Sequence, residues 1–215
     1  PMWALNLMKY RKRAEYADGR ESSISGMEAD DEYAPREHLR KVGSRIVMMA
    51  PVVHQLVGDE HVWDRIAIAQ YRDRMAIIEM SSNADFQKDE DHKEAGMDFT
   101  IVMVTFPVEG DPVPPQESGA GDDRLMLLQV VGDADAPDIA AEIDSVRIGR
   151  FMIEDRFLGD DRTFAEARYD LVSRDAADEL IASGSTHSDT DYVVIADPAL
   201  DDIARSLTDP SKVLF

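Results

Sequence analysis

Residues 107–123 read PVEGDPVPPQESGAGDD, with four prolines, three glycines and five acids. Such a segment supports neither helix nor interior strand, because proline lacks the amide donor and glycines and like charges favour extended chain. It predicts a linker between a first domain at 1–106 and a second at 124–215 that ends in a C-terminal tail. The alternative is a long surface loop within one domain. Charge divides unevenly at the same place. Residues 1–106 carry 19 acids and 14 bases, net −5, whereas residues 107–215 carry 25 acids and 9 bases, net −16. The acidity reads as solvation of a scaffold half, which leaves the nearly balanced half for chemistry.

The overall charge of −21 gives the long-range field the wrong sign for phosphates. Nucleic acid and anionic membrane surfaces are therefore not expected partners. The chain has no cysteine, which excludes disulfides, thiolate metal sites and a cysteine nucleophile. Its apolar runs stop at strand length, far short of the roughly 18 residues a membrane span needs. No charged segment leads into an apolar one in the manner of a secretion signal, so the expected location is cytoplasmic.

A weak internal repeat crosses the linker. LVGDEHVWDRIAIAQYRDRMAIIEMSS (56–82) lies over FLGDDRTFAEARYDLVSRDAADELIAS (157–183) without a gap. Gly58 and Asp59 coincide with Gly159 and Asp160, and Trp63 with Phe164. Both segments predict strand, Gly-Asp turn, strand and helix. Strands are expected at 2–10, 45–57, 62–71 and 98–106, with helices at 28–42, 73–81 and 84–95. The second half repeats the pattern, with strands at 124–131, 148–158, 163–172 and 191–196 and helices at 137–145 and 174–183. The expected fold class is therefore α+β: two ferredoxin-like βαββαβ units, sheet facing sheet, forming an intrachain dimeric α/β barrel, a pseudo-dimer.

ALNLMKY (4–10), EYADGRE (15–21), ADDEYAP (29–35), WDRIAIAQY (63–71) and DFQKDEDHKEAGM (85–97) carry a resemblance that spans nearly all of residues 2–106. The first half resembles the dimeric α/β-barrel superfamily, in the branch catalogued as domain of unknown function 1330. The second half lacks the EYADGRE loop and the HKEAGM segment, so it would be a degenerate second copy from a tandem duplication. The resemblance implies that the loop 11–34 is a recurrent feature which brings Tyr16, Arg20 and Tyr33 over the mouth of a pocket. It implies no reaction.

Strand parity directs the candidate ligand-binding residues. Trp63, Arg65, Ala67, Ala69 and Tyr71 share one face, expected to line the barrel interior, while Ile66 and Ile68 suit packing under helices. The aligned face of the second half offers Glu166, Arg168 and Asp170, either as a salt-bridged ladder across the pseudo-dimer contact or as a polar ligand site. Asn6, in an apolar strand, must be satisfied by backbone or donate to a ligand carbonyl. His92 is the candidate general acid/base, with Phe86, Asp89 and Lys93 close along the helix and Asp89 placed to hold one ring nitrogen. Tyr33 joins His92 as a catalytic candidate. Asn6, Tyr16, Arg20, Trp63, Arg65, Tyr71 and Phe86 are the ligand-binding candidates. No pair of histidines has zinc-site spacing, so no metal is expected.

The functional expectation is a small-molecule binding protein or a cofactor-independent enzyme of isomerase, cyclase or oxygenase type. Its ligand would be an aromatic or carboxylated metabolite in the first-domain barrel cavity. The alternatives are a non-catalytic binding or structural module and a haem-binding barrel with His92 as axial ligand. A homo-oligomer of internal pseudo-dimers is compatible with either. A barrel interior filled by side chains, with Asn6 bonded only to backbone, would count against catalysis.

Overall fold

The computed structural model describes residues 1–33, 35–108 and 123–208. β1 (Met2–Tyr10) leads through a loop to α1 (Gly26–Tyr33) and α2 (Arg36–Lys41), followed by β2 (Arg45–Gly58) and β3 (Arg65–Tyr71). α3 (Arg74–Ser81), α4 (Ala84–Gly96) and β4 (Met97–Pro107) complete the first half. The second half comprises β5 (Leu125–Val131), a 3-10 turn at Ile139–Glu142, β6 (Ser145–Leu158), β7 (Glu166–Val172) and α5 (Arg174–Ala182). β8 (Thr186–His187), β9 (Tyr192–Ala196), β10 (Leu200–Asp201) and α6 (Ile203–Thr208) follow. Most of the expected linker, 109–122, and the last residues of the tail lie outside the described residues.

Local chemistry starts the helices where the sequence suggests. The side chains of Asp73, Asn83 and Ser173 each accept a hydrogen bond from a first-turn amide of α3, α4 and α5, satisfying donors that the helix itself leaves open. The helix expected over 28–42 is instead two, α1 and α2, with Pro35 at the N-cap of the second.

The strands form one sheet in the order β2-β3-β1-β4-β6-β7-β5-β9, and β9 pairs back onto β2. Every pairing along this path is antiparallel, so eight strands close into a barrel. The expected ferredoxin-like α+β architecture, a dimeric α/β barrel of two stacked sheets, is thereby corrected. The halves join edge to edge, with β4 along β6 from Val102↔Leu158 to Pro107↔Phe151 and β2 along β9 from Val52↔Ala196 to Val57↔Val193. Closure satisfies backbone groups that two open sheets would leave bare at their edges. The second half also departs from βαββαβ order. At 137–145 it has only the 3-10 turn, and the Arg168 guanidinium binds the carbonyls of Ala134, Ala136 and Pro137, holding the chain that leads into it against β7.

The barrel interior is apolar and continuous. Trp3, Leu5 and Leu7 of β1 meet Ile66 and Ile68 of β3, Met126, Leu128 and Val130 of β5, and Tyr169 and Leu171 of β7. This reverses the expected parity: on β3 the branched side chains point inward and fill the barrel, while Arg65, Ala67, Ala69 and Tyr71 face outward. α6 adds Ile203 and Leu207 to this core. A second core, including Met2, Ala4, Ala69, Tyr71, Val102 and Val104, lies between the outer face of the first-half strands and the helices. No helix among the described residues is long and apolar enough to cross a membrane.

Candidate functional site

A cavity of about 260 Å³ opens between the outer face of β1, β3 and β2 and the helices above it. Its floor follows from strand register: Asn6 pairs with Ala67 and Met8 with Arg65, which places all four on one face. Ala67 and Ala69 are too small to reach the helices, and this keeps the space free. Met8, Leu39, Ile46, Met49 and Met80 supply apolar walls. Asp30, Asp31 and Tyr33 from α1, Arg36 from α2 and Lys93 from α4 bring polar groups to it.

One side is a fixed ionic cluster. The buried Arg65 guanidinium donates to Asp30 Oδ2 at 3.1 Å and Asp31 Oδ1 at 2.8 Å, and the Tyr10 hydroxyl donates to the same Asp30 oxygen at 2.6 Å. Burial, and after it the Asp30 carboxylate, push the Tyr10 phenol far above its ordinary range, so it stays a donor. Each of these groups has a hydrogen-bond partner, and two carboxylates against one guanidinium leave the cluster one excess negative charge.

The other side is not. The hydroxyls of Tyr33 and Tyr71, the Arg36 guanidinium and the Lys93 amine make no hydrogen bond or ion pair among the described residues. Burial raises the Tyr71 phenol to about 12 and also raises Tyr33, where Tyr71 and the Glu90, Asp30 and Asp89 carboxylates add to the effect. Burial lowers the Lys93 ammonium, against the opposing influence of Asp30 and Glu90. Its Nζ lies 5.5 Å from the centre of the Tyr33 ring.

The cavity gathers Tyr33, Asn6, Arg65 and Tyr71 from among the sequence candidates. The Asn6 amide donates only to backbone, to Ala4 O at 3.0 Å and Ala67 O at 3.5 Å. Phe86 is buried beneath, edge-on to both Tyr33 and His38, as a packing residue. Trp63 lies inside the barrel against Phe99 and Tyr192, away from this cavity, and its indole N–H has no partner there.

His92, Tyr16 and Arg20 form a separate surface cluster. Tyr16 Oη lies 2.8 Å from His92 Nδ1, Glu32 Oε2 lies 3.3 Å from the same nitrogen, and Arg20 stacks over the Tyr16 ring at 3.7 Å. Asp89, expected to hold His92, is instead 2.8 Å from His38 Nε2. The loop carrying Tyr16 and Arg20 is pinned beside α4 rather than over the cavity. Arg11 N donates to Gly96 O at 2.9 Å and Gly26 N to Arg11 O at 3.0 Å. Gly26 and Gly96 approach so closely that a Cβ on either would strike the other's backbone. The haem alternative loses its axial ligand, since His92 does not line the cavity.

The charged ladder lies on the outside of β7 and within the second half. Glu166 binds Arg168 at 2.6 Å and Arg150 at 2.7 Å, while Asp170 binds Arg147 at 2.7 Å. Burial alone would raise the Glu166 carboxyl, but hydrogen bonds from Arg150 and Arg168 hold it below its usual range. Asp59, Glu60 and His61 could together approach a metal ion, but Asp59 is already engaged by the Arg162 guanidinium and by both the backbone and ring nitrogens of His61.

Sequence reasoning missed Lys93, Arg36 and Asp30. Lys93 and Asp30 both fall in segments of recognisable composition, but α1 and α4 are so polar that hydropathy marks no inner face. No protein-family model and no curated protein matches the chain. A crystal structure of methylated RPA0582 protein is similar, with 26% identity and a TM-score of 0.47 over 52% of this chain and 83% of that one. A second RPA0582 structure, of a protein of unknown function from Rhodopseudomonas palustris, has 24% identity and a TM-score of 0.45 over 50% and 82%.

Proposed function

We propose that the protein binds a small metabolite with an apolar body and a carboxylate in the cavity between the first-half strands and helices. The carrying observation is a set of polar groups with no hydrogen-bond or ion-pair partner among the described residues, the buried Tyr33 and Tyr71 and the half-buried Lys93, with the exposed Arg36 beside them, around an otherwise apolar space. Polar groups that are partly or wholly removed from water are normally paired, so a cavity lined by unpaired donors suits a ligand rich in acceptors. Arg36 and a protonated Lys93 supply two positive charges, which the one excess negative charge of the Asp30–Asp31–Arg65 cluster offsets only in part. A volume of about 260 Å³ favours a small metabolite over a drug-sized one.

Binding is favoured over an isomerase, cyclase or oxygenase reaction at the expected place, since the barrel interior is filled and the Asn6 amide donates only to backbone. The resemblance of residues 2–106 to domain of unknown function 1330 is retained within this proposal. Its segments at 63–71 and 85–97 contribute Arg65, Tyr71 and Lys93 to the cavity.

Thermal unfolding with benzoate, phenylacetate and phenyllactate tests the reading. A saturating ligand at about 100 Kd should stabilise the protein by about 2.7 kcal/mol. Ala67→Phe should fill the cavity and abolish that gain, and Arg36→Ala should weaken it. Equal response of the parent and Ala67→Phe, or no response to any of these acids, would sink the proposal.

A further inference from the structure

We propose that Lys93 is a carbonyl-condensing amine, which forms an imine with the oxo group of a small 2-oxo acid held in the cavity. The inference rests on the binding reading above and names the ligand class it would take.

Three observations lead to it. Lys93 lines a cavity, unlike the exposed Lys12, Lys41 and Lys88, and unlike Lys9, which is paired to Asp64 at 3.1 Å. It makes no ion pair even though carboxylates are near. Asp30 is occupied by Tyr10 and Arg65, and Glu90, on the same helix, comes no closer than a through-space influence. The amine therefore faces the Tyr33 ring and the ligand space with its lone pair uncommitted once a proton is lost. Burial independently favours that loss, because it penalises the ammonium form. The remaining groups suit the other end of the ligand, with Arg36 for the carboxylate and Tyr33, kept protonated by burial, as a donor to the carbonyl oxygen.

The chemistry balances without a co-reactant. The Nζ lone pair bonds to the carbonyl carbon while the C–O π pair moves onto oxygen, which takes one amine proton to give a carbinolamine. The nitrogen lone pair then forms the C=N bond, and the hydroxyl leaves with the second amine proton as water. Nothing is oxidised or reduced.

The test uses the unaltered full chain at neutral pH with phenylpyruvate and sodium cyanoborohydride, followed by peptide mass mapping. Phenyllactate, which lacks the carbonyl, reports binding separately by calorimetry. The expected result is a reduced adduct that maps to Lys93 in preference to Lys12 and Lys41, because the free-amine fraction at neutral pH rises as the ammonium pKa falls. Phenyllactate should suppress the adduct by competition, and Lys93→Arg, shown by circular dichroism to be folded, should abolish it. If phenyllactate binds but labelling is uniform or absent, condensation is overturned and the binding reading stands. If neither compound binds, both fall.

Discussion

Trp3 Nε1 donates a hydrogen bond to Ser206 Oγ at 2.9 Å, fastening the first strand of the barrel to its last described helix. Both residues are buried, and Ser206 Oγ in turn donates to Ile203 O at 2.7 Å. Ser206→Ala should leave the indole N–H buried without a partner and cost about 1–3 kcal/mol, measured by urea unfolding. A loss within error of zero would mean that this helix does not hold the barrel end.

The Arg65 cluster makes a sharper contrast between adjacent acids. Asp30 is buried and accepts from both Tyr10 and Arg65, whereas Asp31 is 58% exposed at its side chain. Asp30→Ala leaves the buried Tyr10 hydroxyl without its acceptor and Arg65 with only the exposed Asp31, so the expected cost is about 1–3 kcal/mol. Asp31→Ala should cost no more than about 1 kcal/mol. Equal losses in chemical denaturation would contradict the assigned burial.

Lys93 gives the protein a pH signature of definite sign. Burial lowers its pKa in the folded state, so between that value and about 10.4 the unfolded chain binds more protons. Stability contributed through this group therefore rises with pH across the window, and the full cost of the charged amine is present below it. Lys93→Met should unfold at higher urea than the parent at neutral pH, with a margin that shrinks towards about pH 10. A margin that stays constant with pH would refute the lowered pKa of this amine.

Much of the strand and helix content was legible because its causes are local. The strands at 62–71 and 163–172 and the helices that follow them were anticipated, and in the structure Asp73, Asn83 and Ser173 satisfy first-turn amides of α3, α4 and α5 from within the same few residues. The helix expected at 137–145 is only a 3-10 turn, and the contact beside it is non-local: Arg168 of β7 binds the carbonyls of Ala134 and Ala136 just before the segment and of Pro137 at its start. β8, β10 and α6 were not anticipated. The two strands are only two residues long, and α6 is tied in through Trp3 at the other end of the chain.

The site was half legible. Asn6, Tyr33, Arg65 and Tyr71 were anticipated, though for a cavity inside the barrel rather than outside it. His92 drew attention by its chemistry, whereas its neighbour Lys93 reaches the cavity.

Sequence alone determined the alternation of β3 and β7, the places of α3, α4 and α5 and which half is nearly balanced in charge, since these depend on neighbours within a few positions. Only tertiary structure decided which face of β3 is inside. Both faces of these strands carry apolar residues, and the choice falls to the bulky Ile66 and Ile68, which fill a closed barrel, leaving Ala67 and Ala69 to make room under the helices. Closure was decided at the same level. Pairing of β4 with β6 and of β2 with β9 satisfies backbone groups that no periodicity in the chain records.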